Sequence, residues 1–208
     1  PVYQRNYDWL IDNCDQLFSD LVKLSRSNRC SHFFGSIVTS SADSSYNRLV
    51  IDGQQRLTTI SLLLLAGIKA VKAGAIEISE ESKIDEAYEV FLKAKFCNSE
   101  RKIKLVPIEN DRIAYDKIFN EEDSFDEDSK VTRNYRHFYD LLTRKPQAIS
   151  FDQLLDAIER LQIISIELDS DDDAQLIFES LNSTGLALTE ADKIRNYLLM
   201  SLTPEEQH

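Results

Sequence analysis

Apolar residues recur along the chain with two different spacings, and these spacings predict its secondary structure. From Leu10 to Leu24 they follow the i, i+3, i+4 rhythm of a buried helix face. "HFFGSIVTS" (His32–Ser40) and "RLVIDG" (Arg48–Gly53) predict two strands joined by a hairpin-like loop. The same reading predicts strands over Lys102–Ile108 and Leu161–Asp169, and helices over Leu57–Lys72, Glu81–Phe96, Asp111–Phe119, Thr132–Leu142, Phe151–Leu161, Asp172–Leu181 and Thr189–Leu202.

The order of these elements predicts an α+β fold. Most predicted strands lie towards the two ends of the chain, whereas the middle is mainly helical. We therefore expect a small mixed sheet built from residues 1–74 and 161–208, with a largely helical insertion over residues 75–160.

Charge and composition narrow the function classes. The 208 residues carry a formal net charge of −12, which argues against a protein that coats nucleic acid by bulk attraction. Any contact with DNA must be focused on a local cleft or supplied by sequence outside this fragment, which we expect to be part of a longer protein. No apolar run approaches the roughly 20 residues that span a bilayer, so no membrane partner is expected. Three widely spaced cysteines (Cys14, Cys30 and Cys97) fit free thiols in a reducing cytoplasm.

The stretch "VIDGQQRLTTISLLLLA" carries the most specific chemistry in the chain. A buried strand ends at Asp52 and Gly53, and a buried helix follows. The amides at a helix start attract anions, and Gly53 lets the backbone approach a ligand closely. Arg56 adds a planar cation suited to phosphate, and Gln54 and Gln55 can donate and accept without adding charge. The stretch is therefore interpreted as a phosphate-binding turn.

Neighbouring residues extend this interpretation. Thr58 and Thr59 bring hydroxyl groups to the predicted first turn of the helix. Asp52 stands at the carboxyl end of a strand, where it could hold a metal ion or orient Arg56. The alternative is a plain helix entry, with Asp52 as the cap, Gly53 for the turn and Arg56 in a surface salt bridge.

Two further segments carry candidate residues. In "PVYQRNYDW", Arg5 could contact a second phosphate, and Tyr7 or Trp9 could stack on a base. The alternative is an aromatic staple in the core beside a surface arginine. In "NSTGLALTEADKIRN", Gly185 and Thr189 suit the end of one helix and the start of the next.

Neither the acidic runs nor the histidines indicate an additional metal-binding or nuclease centre. "DSDDDAQ" precedes a predicted helix and is interpreted as a solvated, dipole-complementing run, with a magnesium site at Asp169 or Asp171 as the alternative. His32, His137 and His208 show neither metal-ligand nor HNH-like spacing. We therefore expect no nuclease centre in this stretch of sequence.

Four stretches together resemble one known family. "PVYQRNYDW", "FFGSIV", "VIDGQQRLTTISLLLLA" and "IFESLNSTGLALTEADKIRNYLL" are similar, in this order, to the GmrSD N-terminal family, whose signature is DGQQR. That family looks like a branch of the ParB/sulfiredoxin superfamily, which implies a ParB-like nucleotide-binding core. The resemblance covers both ends of the chain, and residues 75–160 carry no matching motif.

The resemblance implies an activity and its residues. It implies a bacterial anti-phage restriction protein whose N-terminal domain binds and hydrolyses a nucleoside triphosphate (NTP), often followed by an HNH-type nuclease domain. Mg²⁺ is expected beside the NTP, because Asp52 could hold it. DNA would then be contacted through the full-length protein. Asp52, Gln54, Gln55 and Arg56 would be catalytic, with Asp52 as the metal ligand. The nucleotide would contact Gln4, Arg5, Gly53, Arg56, the Leu57, Thr58 and Thr59 amides, and a second wall at Asn182 and Gly185.

Two other functions are compatible with the same residues. The domain could bind modified DNA directly with a vestigial nucleotide site, or serve only as a structural partner of a nuclease domain. Salt-sensitive DNA affinity would favour the first, and tight partner binding without nucleotide binding would favour the second.

Overall fold

The computed structural model describes residues 6–27, 29–41, 47–95, 103–122, 124–144, 149–169, 172 and 176–177. These residues form α-helices and a small mixed sheet, which confirms the predicted α+β class. The helices are α1 (Ile11–Arg26), α2 (Gln54–Lys72), α3 (Ser82–Ala87), α4 (Glu109–Phe119), α5 (Lys130–Arg144) and α6 (Phe151–Glu159), and the strands are β1 (His32–Ser41), β2 (Arg48–Asp52) and β3 (Leu161–Leu168).

One change from the sequence-based bounds is at the start of α2. The helix begins at Gln54, three residues before the predicted Leu57. Apolar spacing marks only the buried face of a helix, and "QQR" lies before that face begins. Gln and Arg are good helix formers, so the helix extends back through them to Gly53.

Two predictions in the middle of the chain need correction. In the segment predicted as one helix over Glu81–Phe96, the described residues form α3 and then a π-helical turn, Tyr88–Leu92, whereas Phe96 lies outside the described residues. The strand predicted over Lys102–Ile108 is wrong for the residues described there, since only Ile103 pairs, in an isolated bridge to Lys93. The four residues 105–108 form no regular element, and Pro107 cannot donate a hydrogen bond to a strand ladder.

Contacts divide the chain into two compact units. The first contains Pro1–Arg5, Ile37–Asp52 and Ser165–His208. The second contains Asn6–Ser36 and Gly53–Ile164. The sequence predicted a core of residues 1–74 and 161–208 with a helical insertion over residues 75–160. These contacts do not test that division, and it stays a prediction.

The sheet has the strand order β2-β1-β3. β1 and β2 are antiparallel, and because the sheet is mixed, β1 and β3 form its parallel pair. In the first unit, Val38, Ile51 and Leu168 form a small buried cluster from the three strands.

The second unit is built around α2. Its residues Leu62 to Leu65 and Ile68 are almost fully buried, because this helix packs against both α5 and α6. α6 begins with a reciprocal cap: the Gln153 amide donates to Ser150 Oγ over 3.2 Å, and the Ser150 amide donates to Gln153 Oε1 over 3.0 Å. This helical core fixes the α2 axis and therefore the place where its first turn lies.

Candidate functional site

The connection from β2 to α2 is a single glycine. Gly53 has φ 96° and ψ 1°, a left-handed conformation, and it is the N-cap of α2. A residue with a Cβ would pay about 1–2 kcal/mol there. Gly53 thus makes the turn through a positive φ, and the strand passes into the helix without a loop.

The early helix start changes which amides face a ligand. The Leu57 amide donates to the Gly53 carbonyl over 3.1 Å, so it belongs to the helix ladder, and its predicted contact with a phosphate stays a prediction. Thr58 and Thr59 are buried, and Thr59 Oγ1 donates to the Gln55 carbonyl over 2.7 Å. The amides that point out along the N-terminal end of the axis are those of the first turn, residues 54–56.

Arg56 is held against β1. Its Nη1 donates to the Ser36 carbonyl over 2.9 Å, and its guanidinium lies against Gly35. A Cβ on Gly35 would stand 2.8 Å from Arg56 Nε and 3.0 Å from Cζ, so only glycine leaves room for this packing. The arginine is therefore a cation with a fixed orientation rather than a loose surface charge.

Gly35 is a site residue that the sequence reasoning missed. Its φ of 122° is also unfavourable for other residues. The available signal was an isolated glycine inside a strand pattern, which indicates a bulge or a close approach of another group.

Gln55 is occupied by the segment that precedes α1. Its Nε2 donates to the Asn6 carbonyl over 2.9 Å, and its Oε1 accepts from the Asp8 amide over 2.8 Å. Both polar atoms of the Gln55 side-chain amide are thus hydrogen-bonded to the backbone of the segment before α1. This geometry gives Gln55 a structural contact that the sequence did not predict, while its predicted catalytic role stays a prediction.

Asp52 closes β2 beside a bulge. Its Cα partner is Val38, whereas the next pair along β1 is Thr39 with Val50, which leaves Ile51 as an extra residue. A bulge re-aims the side chains that follow it and is common beside functional sites.

Among the described residues no group of three or more His, Cys, Asp or Glu could hold a metal. A single carboxylate still fits Mg²⁺ in a nucleotide complex, because substrate phosphates and water complete its shell.

For Tyr7, the structure supports the alternative of an aromatic staple in the core. Its ring is only 5% exposed within the helical core, so it is not available to stack on a base. Trp9 is partly buried and packs against the same core. The other predicted contacts at Gln4, Arg5, Asn182 and Gly185 lie outside the described residues.

The turn, its glycine and its oriented arginine all lie within the DGQQR stretch, residues 52–56. The family described as GmrSD restriction endonuclease, N-terminal domain, matches residues 1–199 of the 208. The chain belongs to this family. A comparison with curated proteins found no match.

As a GmrSD N-terminal domain, the chain has a role in DNA restriction, and the full-length protein belongs to a nuclease context. Among its described helices, none has the length and apolar character needed to cross a membrane. The two described histidines, His32 and His137, form no cluster with other side chains that could ligate a metal. His137 Nε2 pairs with Asp15 Oδ1 at 2.7 Å.

Proposed function

We propose that this domain binds a nucleoside triphosphate at the start of α2 and hydrolyses it, and that the nucleotide state regulates a nuclease centre elsewhere in the full-length protein. The observation that carries the proposal is the fixed orientation of Arg56. A half-buried guanidinium is held by Gly35 and Ser36 in the first turn of a 19-residue helix, where the positive end of the helix dipole lies.

The chemistry asked of these residues is mainly positioning and charge stabilisation. In phosphoryl transfer, negative charge spreads over the phosphate oxygens, and fixed cations and amides stabilise it without reorganising. Arg56 and the amides of the first turn would bind the phosphates. Gln54 would orient the attacking water, and Asp52 would hold Mg²⁺, which neutralises phosphate charge when bound.

Charge also argues for the start of α2 over a cavity elsewhere in the molecule as the place where phosphates bind. A cavity of about 510 Å³ lies between the end of α2 and α5, with Tyr135 and Tyr139 among its lining residues. Three carboxylates, those of Glu121, Glu122 and Asp140, line it beside two cations, Lys69 and Arg136. A triphosphate would be repelled by this carboxylate excess, whereas the start of α2 contributes positive potential.

Calorimetric titration tests the proposal. The chain is titrated with ATP, GTP, CTP and UTP, each with and without Mg²⁺, and then as Arg56→Ala and Arg144→Ala. Arg144 pairs with Asp140 on the solvent-accessible face of α5, so its loss removes the same charge away from the turn. We expect one or more NTPs to bind, Arg56→Ala to weaken binding at least tenfold, and Arg144→Ala to bind as the parent does. Unchanged affinity in a folded Arg56→Ala variant would contradict the proposal.

A further inference from the structure

The segment Asn6–Trp9, which we call the arm, has no regular secondary structure but is gripped from three helices. Gln55 of α2 holds its backbone at Asn6 and Asp8. Asp111 of α4 accepts from the Tyr7 amide at 2.6 Å. Lys130 of α5 forms an ion pair with Asp8.

The Tyr7 hydroxyl joins these contacts into one chain. It lies 2.7 Å from Thr59 Oγ1, and Asn134 Nδ2 of α5 donates to it over 3.0 Å. Thr59 uses its single proton on the Gln55 carbonyl, so Tyr7 must be the donor to Thr59. The direction is therefore Asn134 to Tyr7 to Thr59 to Gln55.

This series of hydrogen bonds returns to the residue that holds the arm. Gln55 receives the last bond on its backbone, and its side chain grips the arm on both sides of Tyr7. Asn134 Nδ2 also donates to the Trp9 carbonyl over 2.9 Å. Tyr7, Thr59 and Asn134 are each at most 5% exposed, so an unmade bond here leaves a buried polar group unsatisfied.

Charge does not compete with this arrangement. Burial, and after it the neighbouring Cys14, raise the pKa of the Tyr7 hydroxyl well above its usual range, although its hydrogen bonds with Thr59 and Asn134 act in the opposite direction, so the hydroxyl keeps the proton that it donates. Burial also raises the pKa of Asp111, and the bond from the Tyr7 amide opposes that change.

We propose that Gln55, Thr59, Tyr7, Asn134 and Asp111 form a positioning circuit that locks the arm onto the first turn of α2 and thereby sets nucleotide affinity without touching the nucleotide. The part concerning affinity rests on the proposed function. Gln55 is then a positioning residue, and the water-orienting role falls to Gln54. The helices α4 and α5 also become responsive to occupancy at the start of α2, because both hold the arm.

The first test needs no nucleotide. Hydrogen exchange of the Tyr7 and Asp8 amides is measured in the parent chain, in Tyr7→Phe and in Gln55→Glu. Phe keeps the ring and removes the hydroxyl, and Glu keeps the shape and removes the donor to Asn6. The control is Tyr115→Phe, which removes a hydroxyl from an equally buried ring of α4 outside the circuit.

We expect exchange of the Asp8 amide to accelerate about tenfold in both circuit variants and to stay unchanged in Tyr115→Phe. Because one circuit is broken in each case, the double variant should exchange little faster than either single variant. Parent-like protection in Tyr7→Phe, or additive effects in the double variant, would overturn the circuit.

The second test separates positioning from chemistry. In NTP hydrolysis, Tyr7→Phe and Gln55→Glu should each raise KM about tenfold with much smaller changes in kcat. A fall in kcat at unchanged KM in Gln55→Glu would instead assign Gln55 to the reaction and overturn its positioning role. If the parent chain binds no NTP, the proposed function fails, and the exchange experiment alone decides whether the circuit exists.

Discussion

Arg56 and Gly35 are 21 positions apart in the sequence, yet they define the candidate site as a pair. The missing Cβ of Gly35 lets the guanidinium lie against β1, and the Ser36 carbonyl fixes its plane. A glycine acts here through the space that it leaves, so its contribution can be tested by filling that space.

Gly35→Ala should lower both stability and nucleotide affinity. The new methyl group would meet Arg56 Nε at 2.8 Å, and φ 122° is strained for alanine. Gly74→Ala is the matched control, since φ is also positive there but no atom lies within 4 Å of the added Cβ. We expect a loss of about 1–3 kcal/mol in urea unfolding for Gly35→Ala and about 1 kcal/mol for Gly74→Ala. NTP affinity should fall only in Gly35→Ala, and equal affinity in the two folded variants would contradict the pairing.

Asp52→Asn should spare NTP binding and slow hydrolysis. The amide keeps the shape of the side chain while removing the charge that would hold Mg²⁺ or align water. Steady-state hydrolysis, measured beside calorimetric affinity, separates the two effects. Hydrolysis at the parent rate would leave Asp52 only its place at the end of β2.

Residue chemistry predicted the Asp52–Arg56 turn because its five residues are neighbours in the sequence. It could not predict the partners of Gln55 or of Tyr7. Asp111 and Asn134 lie 104 and 127 positions from Tyr7, and nothing in their local sequence marks them as its partners. The sequence offered two readings of Tyr7, and only the packing of the helical core decides for the buried one.

At the scale of elements, predictions were best where burial and propensity agree. α1 and the first two strands lie close to their predicted bounds, because their apolar spacing and residue preferences point to one structure. The start of α2 was predicted three residues too late, because its first turn is helical but polar and apolar spacing therefore does not mark it. The segment before α4 was misassigned, because Lys102–Ile108 has the composition of a strand but only Ile103 among its described residues forms a bridge.

The link from Asp152 of α6 to Lys83 of α3 and to Ser79, which precedes α3, gives a pH-dependent prediction. Burial alone would raise the pKa of Asp152, but hydrogen bonds from Lys83 and Ser79 lower it to about 2. A lowered carboxylate pKa contributes stability above the unfolded value near 3.8, and this contribution is lost as pH falls towards 2.

Asp152→Asn should therefore cost about 1 kcal/mol at pH 7, after allowance for solvent screening, and this difference should shrink below pH 4. Urea unfolding at pH 7 and at pH 3 measures the change. Asp156→Asn, which breaks an exposed pair with Arg160 on the same helix, should cost less at pH 7. A penalty for Asp152→Asn that is equal at both pH values would rule out the charge as its origin.

At the scale of the whole molecule, the charge of −12 opposes a polyanion, and the described residues contain no cluster of metal-ligand type. The proposed function assigns DNA cleavage to other sequence of the full-length protein, under the control of the nucleotide site. Such coupling between two sites is reciprocal for binding and is typically worth about 1–3 kcal/mol.

The chain alone should not cut DNA. Purified chain is incubated with supercoiled plasmid, Mg²⁺ or Mn²⁺ and each NTP, beside the full-length protein. Nicking that survives repurification and disappears in Arg56→Ala would place the nuclease centre within this chain.

The most direct measurement of the central claim is the change in backbone amide NMR signals as the NTP with the highest affinity is added with Mg²⁺. We expect the largest shifts at Gly53, Gln54, Gln55 and Arg56, with smaller shifts at Tyr7 and Asp8 through the circuit. Signals from the carboxylate-lined cavity, such as those of Lys69 and Tyr139, should change little. Shifts centred on that cavity, or none at the start of α2 at saturating nucleotide, would contradict the claim that this helix start holds the phosphates.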